Sequence, residues 1–423
     1  MNPRGSYRVR GPLSAFLRAV PSKSATHRAL VAAALARGRS VVTRPLDADD
    51  TRRTIEGLSA LGIGTRTAPG AWAVEGCGGA PPGGGRLQLG HSGTSLRLLL
   101  AVAALGARPS ELDGSPRLRE RPLAELVDAL RELGASVEAR DGRLPVVAGG
   151  RELHGGALRV DARRSSQFAS ALLLLGPHLD GGLELTLKPP AVSLPYVEMT
   201  ARTMIAFGAR LERRGELGFR VEPGGYEGRD LEIEGDHSSA SYFLAAPAVA
   251  GGRVRVAGLD PHSAQPDRAI ADVLRRVGCT VRTDGEGVEV EGGSRLDGFE
   301  ADLTASPDLG PTLAVLALFA EGPSVLRGAA HLRHKESNRL ELLAHDLRLL
   351  GRPARALDDR LEVGPMPPAG LSGCEIVTAG DHRMAMAFAI AGLALDGVTV
   401  DDTGCVAKSN PAFWDQLRAL VGS

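Results

Sequence analysis

PSKSATHRALVAAAL, residues 21–35, opens on a small polar turn and passes after Arg28 into residues with no charge at all. A serine or threonine just before an apolar run marks a helix N-terminus. The uncharged stretch beyond it predicts a helix buried on nearly all sides. Lys23 is the odd residue in it. Of the 50 basic residues in the chain only Lys23, Lys188, Lys335 and Lys408 are lysine. The rest are arginine, so each lysine departs from the composition around it.

The same phrase returns along the chain as HSGTSLRLLLAVAAL from His91, RSSQFASALLLLG from Arg164, DHSSASYFLAAPAV from Asp236, SPDLGPTLAVLALF from Ser306 and DHRMAMAFAIAGL from Asp381. Each is followed by a second, more charged helix such as PLAELVDALREL (122–133) or ESNRLELLAHDLRLL (336–350). Those second helices end near Gly62, Gly134, Gly208, Gly278, Gly351 and Gly422, a spacing of about 70 to 74 residues. The pattern predicts an α/β chain of six βαβαββ units. Three units to a domain give two domains of ordinary size. The stretch EPGGYEGRDLEIEGDHSSAS (222–241), between the third and fourth units, is the natural crossing. GCGGAPPGGG (76–85) lacks a following GK[ST] and reads as a surface loop rather than a phosphate cradle.

Composition narrows the function. With 50 acidic and 50 basic residues in 423, the formal net charge is zero, so no general field attracts nucleic acid or an anionic membrane, and any anion site is local. Cys77, Cys279, Cys374 and Cys405 stand far apart, which argues against zinc and against a disulfide framework and favours a reducing cytoplasm. No apolar run is long enough to span a membrane, and MNPRGSYRVRGPL has no apolar signal core.

Helix N-termini offer unpaired N–H groups and partial positive charge, which favour anions. Near these starts lie Lys23, Arg28, Arg97, Arg121, Lys335, Arg339, Arg383 and Lys408, three of the four lysines among them. Lysine supplies a compact charge with a transferable proton, which guanidinium does not. Lys188, in TLKPP, reads as surface charge. Asp308, Glu336 and Asp381 stand among the cations, where acids weaken anion binding unless they move protons, so a general acid–base pair is one reading of them, and Asp308 also reads as a helix cap. Asp381 reads equally well as a helix cap. Ser165, Ser166 and Gln167 form a hydroxyl-and-amide cluster suited to phosphate or sugar-like oxygens, with Ser193 and Tyr196 placed to join them or to begin the next helix. His331 and His334 lack a clear third ligand, and no metal is expected there.

PSKSATHRAL, GHSGTSLRLL, DGSPRLRERP, RSSQF, SLPY, SPD, KESNR, DHRMAMAFA and VAKSNPAFW, in that order over nearly the whole chain, resemble the 5-enolpyruvylshikimate-3-phosphate (EPSP) synthase family. The resemblance implies transfer of the carboxyvinyl group of phosphoenolpyruvate to the 5-hydroxyl of 3-phosphoshikimate with release of phosphate, by addition then elimination. It implies a monomer without cofactor or metal, and the enolpyruvyl transferase fold of two domains, 1–20 with 234–423 and 21–233, with the active site in the cleft between them. It assigns Lys23, Ser24, Arg28, Ser165, Ser166, Gln167, Ser193, Asp308 and Lys335 to 3-phosphoshikimate. Lys23, Gly93, Arg121, Gln167, Arg339, Arg383 and Lys408 fall to phosphoenolpyruvate, and Asp308, Glu336 and Lys23 to catalysis. The chain departs from the family pattern at His27 and His91, where asparagine is usual, and at Leu194, His331 and Asn338. The related enzyme acting on UDP-N-acetylglucosamine uses a loop cysteine that SELDGSPRLRERP lacks. A non-catalytic anion- or nucleic-acid-binding module sits poorly with the placed acids.

Overall fold

The structure is a computed structural model and describes residue 9 and residues 11–422. The chain divides into two compact units: Pro21–Ile233, and the described residues of Met1–Val20 with those of Glu234–Ser423. Each has its own apolar core.

The six largely apolar phrases become six core helices: Lys23–Leu35 (α1), Gly93–Ala104 (α2), Gln167–Leu175 (α3), His237–Ala250 (α4), Gly310–Phe319 (α5) and His382–Ala391 (α6). Their side chains are almost all buried, as the lack of charge predicts. Ser22, Ser92, Asp236 and Asp381 cap four of them with side-chain oxygens. The other two start differently. Ser166 makes no capping bond to α3, and α5 grows directly out of the 3-10 turn Pro307–Leu309.

The glycine period has a conformational cause. Gly62, Gly134, Gly208, Gly278 and Gly351 close the second helix of the first five units with φ between +83° and +102°, a left-handed stop that glycine adopts without the Cβ penalty. Gly422, in the sixth, has φ −92° and is not such a stop.

The sheets repeat one topology. In the second unit, strand Arg86–Gln88 runs parallel to Ser110–Asp113, which pairs antiparallel with Arg143–Ala148, itself antiparallel to Val137–Arg140. The third and fifth units share this order, built from their own strands. The first and fourth borrow their opening strand. Tyr226–Glu227 and Asp230–Glu232, at the end of Pro21–Ile233, pair parallel with Ala36–Thr43 of the first unit. Leu13–Arg18 pairs parallel with Gly252–Ala257 of the fourth, Leu13 opposite Gly252 and Arg18 opposite Ala257. The sixth unit differs from the six-fold expectation. Among the described residues its sheet has only Glu375–Ile376 and Thr399–Val400, and the chain continues into helix Phe413–Val421 in place of a hairpin, burying Phe413, Leu417 and Leu420 in the core.

In Pro21–Ile233 the charged second helices alternate with the core helices. Asp49–Ala60 lies against α1 and α2, Ala124–Glu132 against α2 and α3, and Leu194–Ala206 against α3 and α1. This alternation carries side chains from distant sequence to the starts of the core helices. In the other unit α4, α5 and α6 pack on one another. No helix among the described residues is long and apolar enough to cross a membrane.

Candidate active site

In Pro21–Ile233 the expected anion residues gather at the starts of α1, α2 and α3. Lys23, the first residue of α1, places Nζ 3.1 Å from Asp50 Oδ2. One turn on, Arg28 is buried, and its guanidinium reaches Thr200 Oγ1 at 2.7 Å, the Ser24 carbonyl at 2.9 Å, the Tyr196 carbonyl at 3.0 Å and Ser170 Oγ at 3.4 Å. None of these partners is an acid. Burial therefore pulls Arg28 down to about 10, with only a small opposing effect from Tyr196. It stays charged at neutral pH with no acid beside it among the described residues.

At α2, Gly93 is fixed by crowding. A Cβ there would lie 2.3 Å from Arg121 Nη1 and 2.5 Å from Arg97 Nη1, so both guanidinium groups lie over bare backbone. Arg97 also donates to the Gly93 carbonyl at 3.0 Å, to Gln167 Oε1 at 3.1 Å and to the Pro122 carbonyl at 2.9 Å. Gln167 in turn donates to Thr94 Oγ1 at 2.9 Å, and its backbone N–H to Ser165 Oγ at 3.2 Å. Ser166 and Ser193 are buried. Ser193 is held at φ +56°, uncommon outside glycine, at the N-terminal end of helix Leu194–Ala206.

The other unit places its cations against carboxylates. Arg339 has no exposed side-chain surface and donates to Asp381 Oδ2 at 2.9 Å, Glu336 Oε2 at 2.9 Å and Asp308 Oδ1 at 3.3 Å. Burial opposes its charge, but Asp381, Glu336 and Asp308 outweigh it and raise its pKa above the ordinary value. Arg383 Nη2 lies 2.6 Å from Asp308 Oδ2, and Nη1 3.3 Å from Tyr242 OH. Lys408 Nζ lies 3.8 Å from Glu336 Oε1. Asp381 does both things its position allowed. Its Oδ1 accepts from the Arg383 backbone N–H at 3.0 Å, capping α6, while the carboxylate anchors Arg339. Asp308, by contrast, is engaged by two arginines. Lys335 lies close to His331, and burial together with that charge pushes the imidazole down to about 3.

The structure thus gathers Lys23, Ser24, Arg28, Gly93, Arg121, Ser165, Ser166, Gln167 and Ser193 in one unit and Asp308, Lys335, Glu336, Arg339, Arg383 and Lys408 in the other. Lys188 is exposed at the end of strand Asp180–Lys188. Sequence reasoning missed the supporting residues Asp50, Thr200, Ser170 and Tyr242. It noted Arg97 without placing it in the site. Arg97 carried a visible signal, a lone charge inside the otherwise uncharged run LRLLLAVAAL.

Repeated sheet-and-helix units whose helix starts carry buried cations, with acids placed among those of one unit, define an α/β group-transfer enzyme for anionic substrates. The profile of EPSP synthase (3-phosphoshikimate 1-carboxyvinyltransferase) matches residues 8–417. A 3-phosphoshikimate 1-carboxyvinyltransferase of Methanoculleus marisnigri is 46% identical over 412 residues, 96% of this chain and 97% of that one. The corresponding protein of Aeromonas salmonicida is 40% identical over 94% of each chain. A solved EPSP synthase from Acinetobacter baumannii superposes with a TM-score of 0.79 at 27% identity, covering 98% of this chain and 97% of that one. The chain belongs to the EPSP synthase family, transferases of the shikimate route to aromatic amino acids.

Proposed function

We propose that the two sets of residues divide the work of the family reaction. The chain transfers the carboxyvinyl group of phosphoenolpyruvate to the 5-hydroxyl of 3-phosphoshikimate and releases inorganic phosphate. The observation that carries this division is the contrast between Arg28, buried without an acid, and Asp308, which lies between two arginines.

Arg28, Ser24, Ser165, Ser166 and Ser193 supply cationic and hydroxyl donors for 3-phosphoshikimate. Lys23, Gln167, Arg121 and the open backbone at Gly93 supply those for phosphoenolpyruvate, joined by Arg339, Arg383 and Lys408. Lys335 is the further cation for 3-phosphoshikimate. Arg339 and Arg383 hold the Asp308 carboxylate in place from two sides. In the addition step Asp308 takes the proton of the 5-hydroxyl as its oxygen bonds to C2 of phosphoenolpyruvate. C3 receives a proton from Glu336, replenished by the Lys408 ammonium beside it. In the elimination step Glu336 takes a proton back from the new methyl group, the C2–O bond to phosphate breaks with its electron pair leaving on phosphate, which takes up the proton held by Asp308, and the vinyl ether forms. No cofactor enters this balance. A cytoplasmic monomer is the form in which we expect the enzyme to work.

Phosphate release from purified protein given both substrates together, and not either alone, tests the reaction. Asp308→Ala tests the division: general-base loss lowers kcat by about 10²- to 10⁴-fold, while KM changes little, since two cations remain. Near-normal turnover would remove Asp308 from the mechanism.

A further inference from the structure

Beneath the Lys23–Asp50 pair a second contact joins the same two helices. Lys23 and His27 are four residues apart on α1, and Asp50 and Thr54 are four apart on helix Asp49–Ala60, so the second residue of each lies one turn below the first. The upper rung is ionic, at 3.1 Å. The lower joins His27 Nδ1 to Thr54 Oγ1 at 2.7 Å, with both side chains fully buried. From Thr54 the chain of contacts continues to Ser95 Oγ on α2 at 2.8 Å, and Ser95 Oγ reaches the Asp50 carbonyl at 2.9 Å and Ser92 Oγ at 2.7 Å. Ser92 is the cap of α2, and the next residue is Gly93.

Counting protons fixes the direction of this chain. A carbonyl only accepts, so the single hydroxyl proton of Ser95 goes to Asp50. Thr54 must therefore donate to Ser95, which leaves Thr54 Oγ1 as the acceptor for His27. His27 carries its proton on Nδ1.

We propose that His27 is a positioning residue: through Thr54 and Ser95 it fixes the spacing between Lys23, held by Asp50, and the Gly93 turn that Arg97 and Arg121 flank. It touches no substrate in this role. It holds three helices, α1, Asp49–Ala60 and α2, in one register at the place where the anion residues of this unit converge. An asparagine at this position also donates an N–H, so the function survives that replacement and fails with an apolar one.

The inference rests on Lys23 serving substrate anions, and a mutant cycle on the full chain tests the two separately. His27→Leu raises KM for both substrates about 3- to 10-fold, the range of one lost buried hydrogen bond, with a smaller change in kcat. His27→Asn recovers most of that loss. In a Lys23→Arg background, where the upper rung is already displaced, His27→Leu adds less than about twofold, the non-additivity of coupled residues. Should His27→Leu fold poorly in a thermal melt, Thr54→Val breaks the same link with nearly unchanged volume and gives the same reading. An equal factor in both backgrounds, or an asparagine variant no better than leucine, overturns the proposal. Absence of phosphate release by the unaltered protein would overturn the functional reading instead.

Discussion

The two units bury arginine in opposite ways. Arg28 sits among two hydroxyls and two backbone carbonyls. Arg339 sits among three carboxylates. The first arrangement leaves a full positive charge in a desolvated place, which suits the anion-binding role proposed for it. The second is neutralised within the unit, and its cations hold Asp308 and Glu336 in fixed positions. One unit buries its arginine among neutral acceptors and the other among acids, although both write the same helix start and much the same sheet.

Removing each arginine breaks the comparison at its strongest point. Arg339→Met leaves Asp381 buried without its counter-charge, and loss of one partner of a buried pair costs about 3–5 kcal/mol. Denaturant unfolding should show that loss, and a change below about 1 kcal/mol would mean that the carboxylates do not depend on Arg339. Arg28→Met is expected to behave differently. It removes a charge whose pKa burial has lowered from 12.5 to about 10. At neutral pH, below both values, the folding penalty is fully present, at about 3 kcal/mol. Thr200 Oγ1 and Ser170 Oγ, 2.8 Å apart, still satisfy one another. The free variant should therefore unfold no earlier than the parent while its affinity for 3-phosphoshikimate, measured calorimetrically, falls about 100-fold or more, as for a lost buried charge partner. A variant that unfolds much earlier would show that Arg28 is a structural residue. The smallest effect belongs to Lys23→Arg, which keeps the charge and moves it. We expect kcat/KM to fall about tenfold, a misplacement of roughly 1.4 kcal/mol; full activity would show that charge alone suffices at this position.

What could be read from residues alone follows from which signals are local. The core helices were legible because burial leaves long apolar runs, with charge confined to a few positions near each start, in PSKSATHRALVAAAL and its five counterparts. The period was legible because a left-handed helix stop selects glycine at Gly62, Gly134, Gly208, Gly278 and Gly351. The borrowed strands were not legible from periodicity: Asp230–Glu232 pairs with Val41–Thr43 across nearly the whole unit, and no spacing rule connects such positions. The missed partners share that cause. Arg28 meets Thr200 172 residues away, and Asp50 meets Lys23 only because helix Asp49–Ala60 packs on α1. The short sixth sheet escaped because its helix start, DHRMAMAFA, is as complete as the others. Gly422, which lacks the left-handed turn of the other five, shows the difference in the structure and not in the sequence.

The borrowed strand Leu13–Arg18 makes Pro21–Ile233 a guest inserted into its host. The guest is continuous and supplies every strand of its own sheets. The host is interrupted between Val20 and Glu234, yet its cut ends are neighbours, since the Asp236 backbone N–H donates to the Val20 carbonyl at 2.8 Å. Excising the guest and joining the ends by a short linker would therefore leave the host's sheets whole. Cutting the chain after Val20 instead would leave Gly252–Ala257 an exposed edge, open to a synthetic strand of sequence LSAFLR supplied in trans. Evolutionarily, the same geometry means that host and guest could each vary in sequence without either having to re-close its sheets.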